Sequence, residues 1–296
     1  MTSNQYLFLC AGLLLSWPQA LRASILPDNN LYLRDCVECE TGIGQEEFNR
    51  VIAEAKNAFG PIVESFGESL EIVGKWSDST VNASALQGFG SWTVTMYGGL
   101  ARRPEITSDG FALVLCHEIG HHLGGFPFVS GWGANEGQSD YFATNHCAPY
   151  LWARQVKINA TYRQKIPAIP KAQCEAAYQN ENEQNLCFRI MIASKSISDL
   201  LGFLNKTSVS FDQTDQKTVQ KTFNSHPAAQ CRLDTYVAGS LCTLEYEPTL
   251  IPGKSGDLGA NNLDSEMESS QVNCAHSATF QPSALRPRCW FKPEIE

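Results

Sequence analysis

The stretch His117-Glu118-Ile119-Gly120-His121 places two imidazoles and a carboxylate within five residues. In a helix each residue advances about 100° around the axis, so His117 and His121 lie about 40° apart on one face, one turn above the other. Both rings then converge on a single cation. This is the spacing that grips zinc, with Glu118 beside it to take a proton from a water that the metal acidifies. Two histidines leave a catalytic zinc short of a ligand, because such sites take three protein groups and keep a fourth position open. Glu136, with 14 residues between it and His121, offers the missing carboxylate. Asp140 follows four residues later on the same helical face, where it can accept a hydrogen bond from a ligating histidine and fix its tautomer.

The elements needed to hold these groups are readable nearby. The run 107–116, Thr-Ser-Asp-Gly-Phe-Ala-Leu-Val-Leu-Cys, opens on a capping residue and turns apolar as a buried helix does. Gly124-Gly125 supplies its stop. Residues 135–146 predict a second helix carrying Glu136 and Asp140, and the stretch 125–134 spans roughly 30 Å if extended, enough to fold that helix back beside the first. Upstream, Phe48, Val51, Ile52, Ala55 and Phe59 recur at helical spacing across 45–59. Segments 70–76 and 92–97 are rich in β-branched and aromatic residues, as strands are. Residues 92–99 suit either an edge strand that adds an extended peptide through main-chain hydrogen bonds or an ordinary core strand. Downstream, 171–204 and 227–238 have helical patterns, with Pro227 suited to the first helical position and Ser225 or His226 to the cap. Residues 253–271 are polar and glycine-rich enough for a long loop. The fold class predicted is α+β, a small β-sheet plus a mainly helical remainder with an active-site helix pair.

Residues 6–17 are almost entirely apolar and lead to small-residue cleavage options after Ala20 or Ala23, which reads as a signal peptide over 1–23. An apolar run of about 12 residues is too short to span a bilayer, and no other segment approaches a span. The mature chain is therefore expected to be exported, periplasmic or extracellular, without stable membrane insertion. Cys10 lacks the preceding small residues of a lipid-attachment site. Of the eleven cysteines, ten remain after the signal is removed, an even count that points to disulfides in an oxidising compartment. Local separations favour Cys174 with Cys187, Cys231 with Cys242, and Cys274 with Cys289. Cys36-Val37-Glu38-Cys39 is the sole Cys-x-x-Cys and is too little for a zinc knuckle. A formal charge of −9 disfavours nucleic acid and anionic membrane surfaces as partners. Asn82, Asn159 and Asn205 open N-glycosylation patterns, which are common by chance.

The pair His117-Glu118-x-x-His121 and Glu136-x-x-Ser139-Asp140 resembles the gluzincins, zinc peptidases whose third ligand is a glutamate on a second helix, followed by an aspartate four residues later. Ser225-His226-Pro227, with Arg232-Leu233 after it, is similar to a segment of the CAAX prenyl protease and HtpX-like metallopeptidases that lies close to the zinc. The resemblance covers residues 107–145 and 222–240. The step from His121 to Glu136 is shorter here than in that group, and the membrane helices of its best-known members are missing. It implies a zincin-like metallopeptidase domain over 24–245, with 246–296 as a loop-rich, disulfide-pinned extension. It also implies one Zn2+ per chain on His117, His121 and Glu136, with Glu118 as general base and Asp140 behind a ligand. His226 would polarise the scissile carbonyl or stabilise the oxyanion, and Arg232 would orient substrate or site residues; a capping histidine and a surface arginine are the plain alternative. The implied activity is that of a zinc endopeptidase acting on proteins or peptides.

Two other readings stand beside it. A secreted binding protein or inactive homologue would keep the helix pair as a structural zinc clamp, which has no need of Glu118. A zinc hydrolase of another amide, such as a cell-wall cross-link, would keep the chemistry and change the substrate. His122, about 140° from His117 around the helix, is read as packed rather than ligating. His146 and His276 carry no motif.

Overall fold

The computed structural model describes residues 22–34, 42–88, 90–256, 258–274 and 281–294. Most of the expected signal peptide, Cys36, Cys39 and His276 lie outside the described residues. In chain order the elements around the site are β1 (Arg22–Ser24), α1 (Gln45–Ser65), β2 (Ser69–Lys75), β3 (Ala83–Gly88), β4 (Ser91–Tyr97), α2 (Gly98–Ala101) and α3 (Ser108–Leu123). Then follow β5 (Phe128–Ser130), β6 (Gly133–Ala134), α4 (Glu136–Phe142), α5 (Ala148–Trp152), α6 (Val156–Ala160), α7 (Ala168–Ala177), α8 (Glu181–Asn205) and α9 (Ala229–Leu241). The fold is α+β.

α1 buries Phe48, Val51, Ala55 and Phe59 in the stripe their spacing predicts. It continues past Phe59 because Ile62 and Val63 are buried as well, which offsets the helical hydrogen bond lost at Pro61. The main sheet has the order β1, β3, β4, β2, with β2 and β4 parallel and the other pairs antiparallel. Leu70 and Ile72 pair with Trp92 and Val94, so their buried side chains share one face of the sheet. β4 is therefore an interior core strand and cannot accept a peptide by edge addition. The edges of the sheet are β1 and β2, and β1 lies along β3, whose sequence Ala-Ser-Ala-Leu-Gln-Gly lacks the β-branched residues that mark a strand.

α3 forms because Thr107 caps it, its side-chain oxygen accepting the Gly110 N–H at 3.0 Å. Residues 109–123 are all buried, so this helix has no solvent face. Asp109, near its start, is held by the Arg189 guanidinium of α8 at 2.7 and 2.9 Å. Its end lies at Gly124 and Gly125, the latter in left-handed conformation at φ 69°.

α4 starts where Asn135 accepts the Gln138 N–H at 2.9 Å, and it runs on through a π-helical turn at Ala143–Cys147 into α5. It crosses α3 at Gly120. A Cβ there would lie 2.9 Å from the Cα and carbonyl oxygen of Ser139, so only glycine permits the approach. The Cys116–Cys147 disulfide ties α3 to the π-helical turn that follows α4. The pattern over 171–204 resolves into α7 and α8, separated at Asn180, whose side chain caps α8. α9 begins later than Pro227 predicts. Ala228 is the extended cap residue at ψ 153°, which leaves Pro227 and His226 outside the helix.

Two of the three disulfides expected from local spacing are wrong. Cys174 does bridge Cys187, but Cys231 pairs with Cys289 and Cys242 with Cys274. Cys231 and Cys242 lie near opposite ends of α9, about 16 Å apart along a helix axis, beyond the reach of a disulfide. Residues 253–271 are likewise more than a loop. They contain the short hairpin β7 (Lys254–Ser255) and β8 (Leu258–Gly259) and the helix α10 (Leu263–Ser269). The segment read as an extension contributes Trp290, fully buried, to the packing on α4: a Cβ at Gly137 would stand 2.2 Å from its indole. Among the described residues no helix is long and apolar enough to cross a membrane.

Candidate metal centre

The crossing of α3 and α4 gathers His117, His121 and Glu136, whose ligand atoms lie within 4.8 Å of one another. The rings of His117 and His121 stand nearly perpendicular with centroids 4.7 Å apart. His117 Nε2 is 3.3 Å from one Glu136 oxygen and His121 Nε2 is 3.6 Å from the other. All three side chains are buried.

The outer nitrogens are already committed. His117 Nδ1 donates to Asp140 Oδ1 at 2.7 Å, and His121 Nδ1 donates to the Ala134 carbonyl at 2.8 Å, with Ser139 Oγ 3.0 Å away. A carboxylate and a carbonyl can only accept, so both Nδ1 atoms carry hydrogen and both Nε2 atoms of the neutral rings present lone pairs. Those two Nε2 atoms and Glu136 Oε2 have no hydrogen-bond partner. With both rings neutral, three buried acceptors facing one another are costly unless positive charge sits among them, either a metal ion or a proton on His117. These residues can hold a metal ion.

Behind the trio stands a fully buried ion pair. Arg232 grips Asp140 with Nε on one oxygen and Nη2 on the other, each at 2.7 Å, and also reaches Tyr236 Oη at 3.4 Å. The chain of contacts runs Arg232, Asp140, His117, trio. The plain alternative of a surface arginine is excluded, because Arg232 has no exposed area. His226 is half-buried with Nε2 3.6 Å from Glu136 Oε2, so it faces the trio rather than solvent alone.

Electrostatics follow from this enclosure. Burial pushes the Glu118 carboxyl up to about 8, and the nearby Glu136 charge adds to the rise against the pull of His117. Burial opposes charge on His117, yet Asp140 and Glu136 outweigh it and lift that ring to about 9. Burial drops His121 to about 4. Burial alone would raise Glu136, but His121 and His117 hold it down at about 2. The carboxylates thus draw positive charge to the trio, and a metal ion competes there with a proton on His117.

Every site residue singled out in the sequence converges on this crossing: His117, Glu118, His121, Glu136, Asp140, His226 and Arg232. His122 is packed as expected, stacked between Trp92 and Trp132 with ring centroids 5.5 and 5.2 Å away. Sequence reading missed the Ala134 carbonyl, a backbone group without a side-chain signal, and Ser139, quoted in the motif without a role. It also missed Asn82, read only as a glycosylation pattern. The Asn82 amide is engaged with Leu26, accepting from its N–H and donating to its carbonyl, both at 3.2 Å. No family model, curated protein or solved structure matches the chain.

Proposed function

We propose that this chain is a zinc-dependent endopeptidase of zincin type. The observation that carries the reading is Glu118, fully buried beside His117, with one carboxylate oxygen lacking any partner. A closed structural clamp has no use for such a group, whereas hydrolysis needs a base next to the metal. Zinc, when held by His117, His121 and Glu136, supplies the Lewis acidity that polarises a carbonyl and acidifies water. The charge of a bound cation would favour the ionised form of Glu118, which then takes a proton from the attacking water and passes it to the leaving amine. His226 donates from Nε2 to the carbonyl oxygen as negative charge grows there. Asp140 fixes the His117 tautomer, and Arg232 fixes Asp140. Four disulfides among the described residues fit an oxidising, exported setting.

The test is Glu118→Gln. It should bind zinc with wild-type stoichiometry and lose hydrolysis of an unfolded protein substrate by roughly 10²- to 10⁴-fold. A variant that binds zinc and cleaves at the wild-type rate would overturn the assignment.

A further inference from the structure

Beside the trio, residues 24–26 of the chain itself lie where an extended peptide would. β1 runs antiparallel along β3 with Ser24 opposite Ser84, and immediately beyond it the backbone is gripped by side chains of the site. Both polar atoms of the peptide bond between Ser24 and Ile25 are held. His226 Nε2 donates to the Ser24 carbonyl at 2.8 Å, and the Ile25 N–H donates to Glu118 Oε1 at 2.8 Å. Arg232 donates to the Ile25 carbonyl. Asn82 completes the grip with both atoms of its amide on Leu26. The side chains of Ile25 and Leu26 are fully buried. Strand pairing explains β1, but it does not explain why the base and the carbonyl donor of the proposed reaction meet on the nitrogen and oxygen of one peptide bond.

We propose that Ser24, Ile25 and Leu26 occupy the site as a tethered substrate analogue, which closes it to other peptides and displays the class it takes. That class is an extended chain with a small residue before the cut bond and two aliphatic residues after it. Calling the segment a substrate analogue rests on the peptidase reading; its occupancy of the site rests on the hydrogen bonds alone. Tethering gives the segment its advantage. The chain continues to an antiparallel bridge with the β2–β3 connection, Val81 N–H donating to the Leu31 carbonyl and Leu33 N–H to the Ser79 carbonyl, so the analogue competes at the high effective concentration of an intramolecular ligand. Processing after Ala20 keeps all of β1, whereas processing after Ala23 removes Arg22 and Ala23 and keeps residues 24–26 with their hydrogen bonds to His226, Glu118, Arg232 and Asn82.

The zinc-loaded exported chain is compared in three forms: wild type, Ile25→Asp, and a chain clipped at a specific protease site placed over residues 28–30 and then freed of the released peptide. Two readouts are taken, hydrogen exchange at the Ile25 and Leu26 amides and hydrolysis of a quenched peptide bearing Arg-Ala-Ser-Ile-Leu-Pro. The wild type should protect both amides. Ile25→Asp should exchange them at least 100-fold faster, and both altered forms should cleave the peptide at least tenfold faster. Freely exchanging wild-type amides, or equal and measurable hydrolysis by all three forms, would overturn the proposal. Protection lost in Ile25→Asp with no hydrolysis by any form supports occupancy and defeats the peptidase reading instead. The clipped chain keeps the test valid if Ile25→Asp fails to fold. The Glu118→Gln comparison is then best made in whichever form is unlatched.

Discussion

Asp140 serves two partners that cannot be satisfied separately. Its Oδ1 accepts from His117 Nδ1 and also from Arg232 Nη2, and its Oδ2 accepts from Arg232 Nε. Because the carboxylate is fully buried, its charge persists only through these contacts, and they hold its pKa well below the usual carboxylate range against the opposing effect of burial. Asp140→Asn keeps the shape and removes the charge. It leaves the Arg232 guanidinium buried without a counter-charge, so stability should fall by about 3–5 kcal/mol. It also weakens the acceptor that orients His117, so metal affinity should fall roughly 10- to 100-fold. Urea unfolding of the metal-free protein reads the first effect and competition with a chelator the second. Unchanged metal affinity would show that His117 is positioned by packing alone.

The helix pair depends on one missing side chain. Gly120 lets α4 lie against α3 closely enough for Glu136 to face His117 and His121, and the atoms its Cβ would strike belong to the Ser139 backbone, which cannot swing aside. Gly120→Ala should therefore destabilise the fold by about 1–3 kcal/mol and weaken metal binding, because displacement of α4 carries Glu136 and Asp140 with it. Gly60→Ala in α1 is the control. Nothing lies within 4 Å of a Cβ there, so it should be neutral or stabilise by up to about 1 kcal/mol, with metal affinity unchanged. Thermal unfolding and calorimetric zinc titration of the two variants decide the point. The same pair explains why the site was legible in the sequence: His117, Glu118 and His121 share one turn, and Glu136 and Asp140 share the next helix, so local periodicity carries the geometry. β3 and β1 were not legible, because Ala-Ser-Ala-Leu-Gln-Gly has little intrinsic strand signal and gains its place only from neighbours distant in the chain. The disulfides failed for a related reason. Spacing favoured Cys231 with Cys242, although the helix predicted over 227–238 already held those residues apart.

At the scale of the whole molecule, the carboxy-terminal segment acts as a clamp rather than an appendage. Cys289 and Cys274 fasten it near the two ends of α9, Trp290 donates its indole N–H to Thr235 at 2.9 Å, and Arg286 reaches Gln138 on α4 at 3.2 Å. Under this clamp lies His146. Its ring stacks on Tyr246 at 5.0 Å between centroids and its Nε2 accepts from Asn145 Nδ2 at 3.1 Å. Burial pulls its pKa down from 6.5 to about 3, although Asn273 and the Val272 backbone favour the charged form. The folded chain thus keeps His146 neutral at a pH where the unfolded chain protonates it. Stability from this group is complete above about pH 6.5 and is lost as pH falls from there towards 3, at up to about 1.4 kcal/mol per pH unit. Other groups titrate there as well, Glu118 with its raised carboxyl among them, but they are common to wild type and variant, so the difference in slope from pH 6 to 4.5 reports the histidine that is removed. His146→Gln removes the titration while retaining a polar side chain. Denaturant unfolding of the chelated protein across that window should give a shallower pH slope for the variant, by up to about 1.4 kcal/mol per unit, whatever the change in its stability at pH 7. Parallel slopes for variant and wild type would mean that His146 takes up its proton without unfolding, and that the clamp opens to water before the core does.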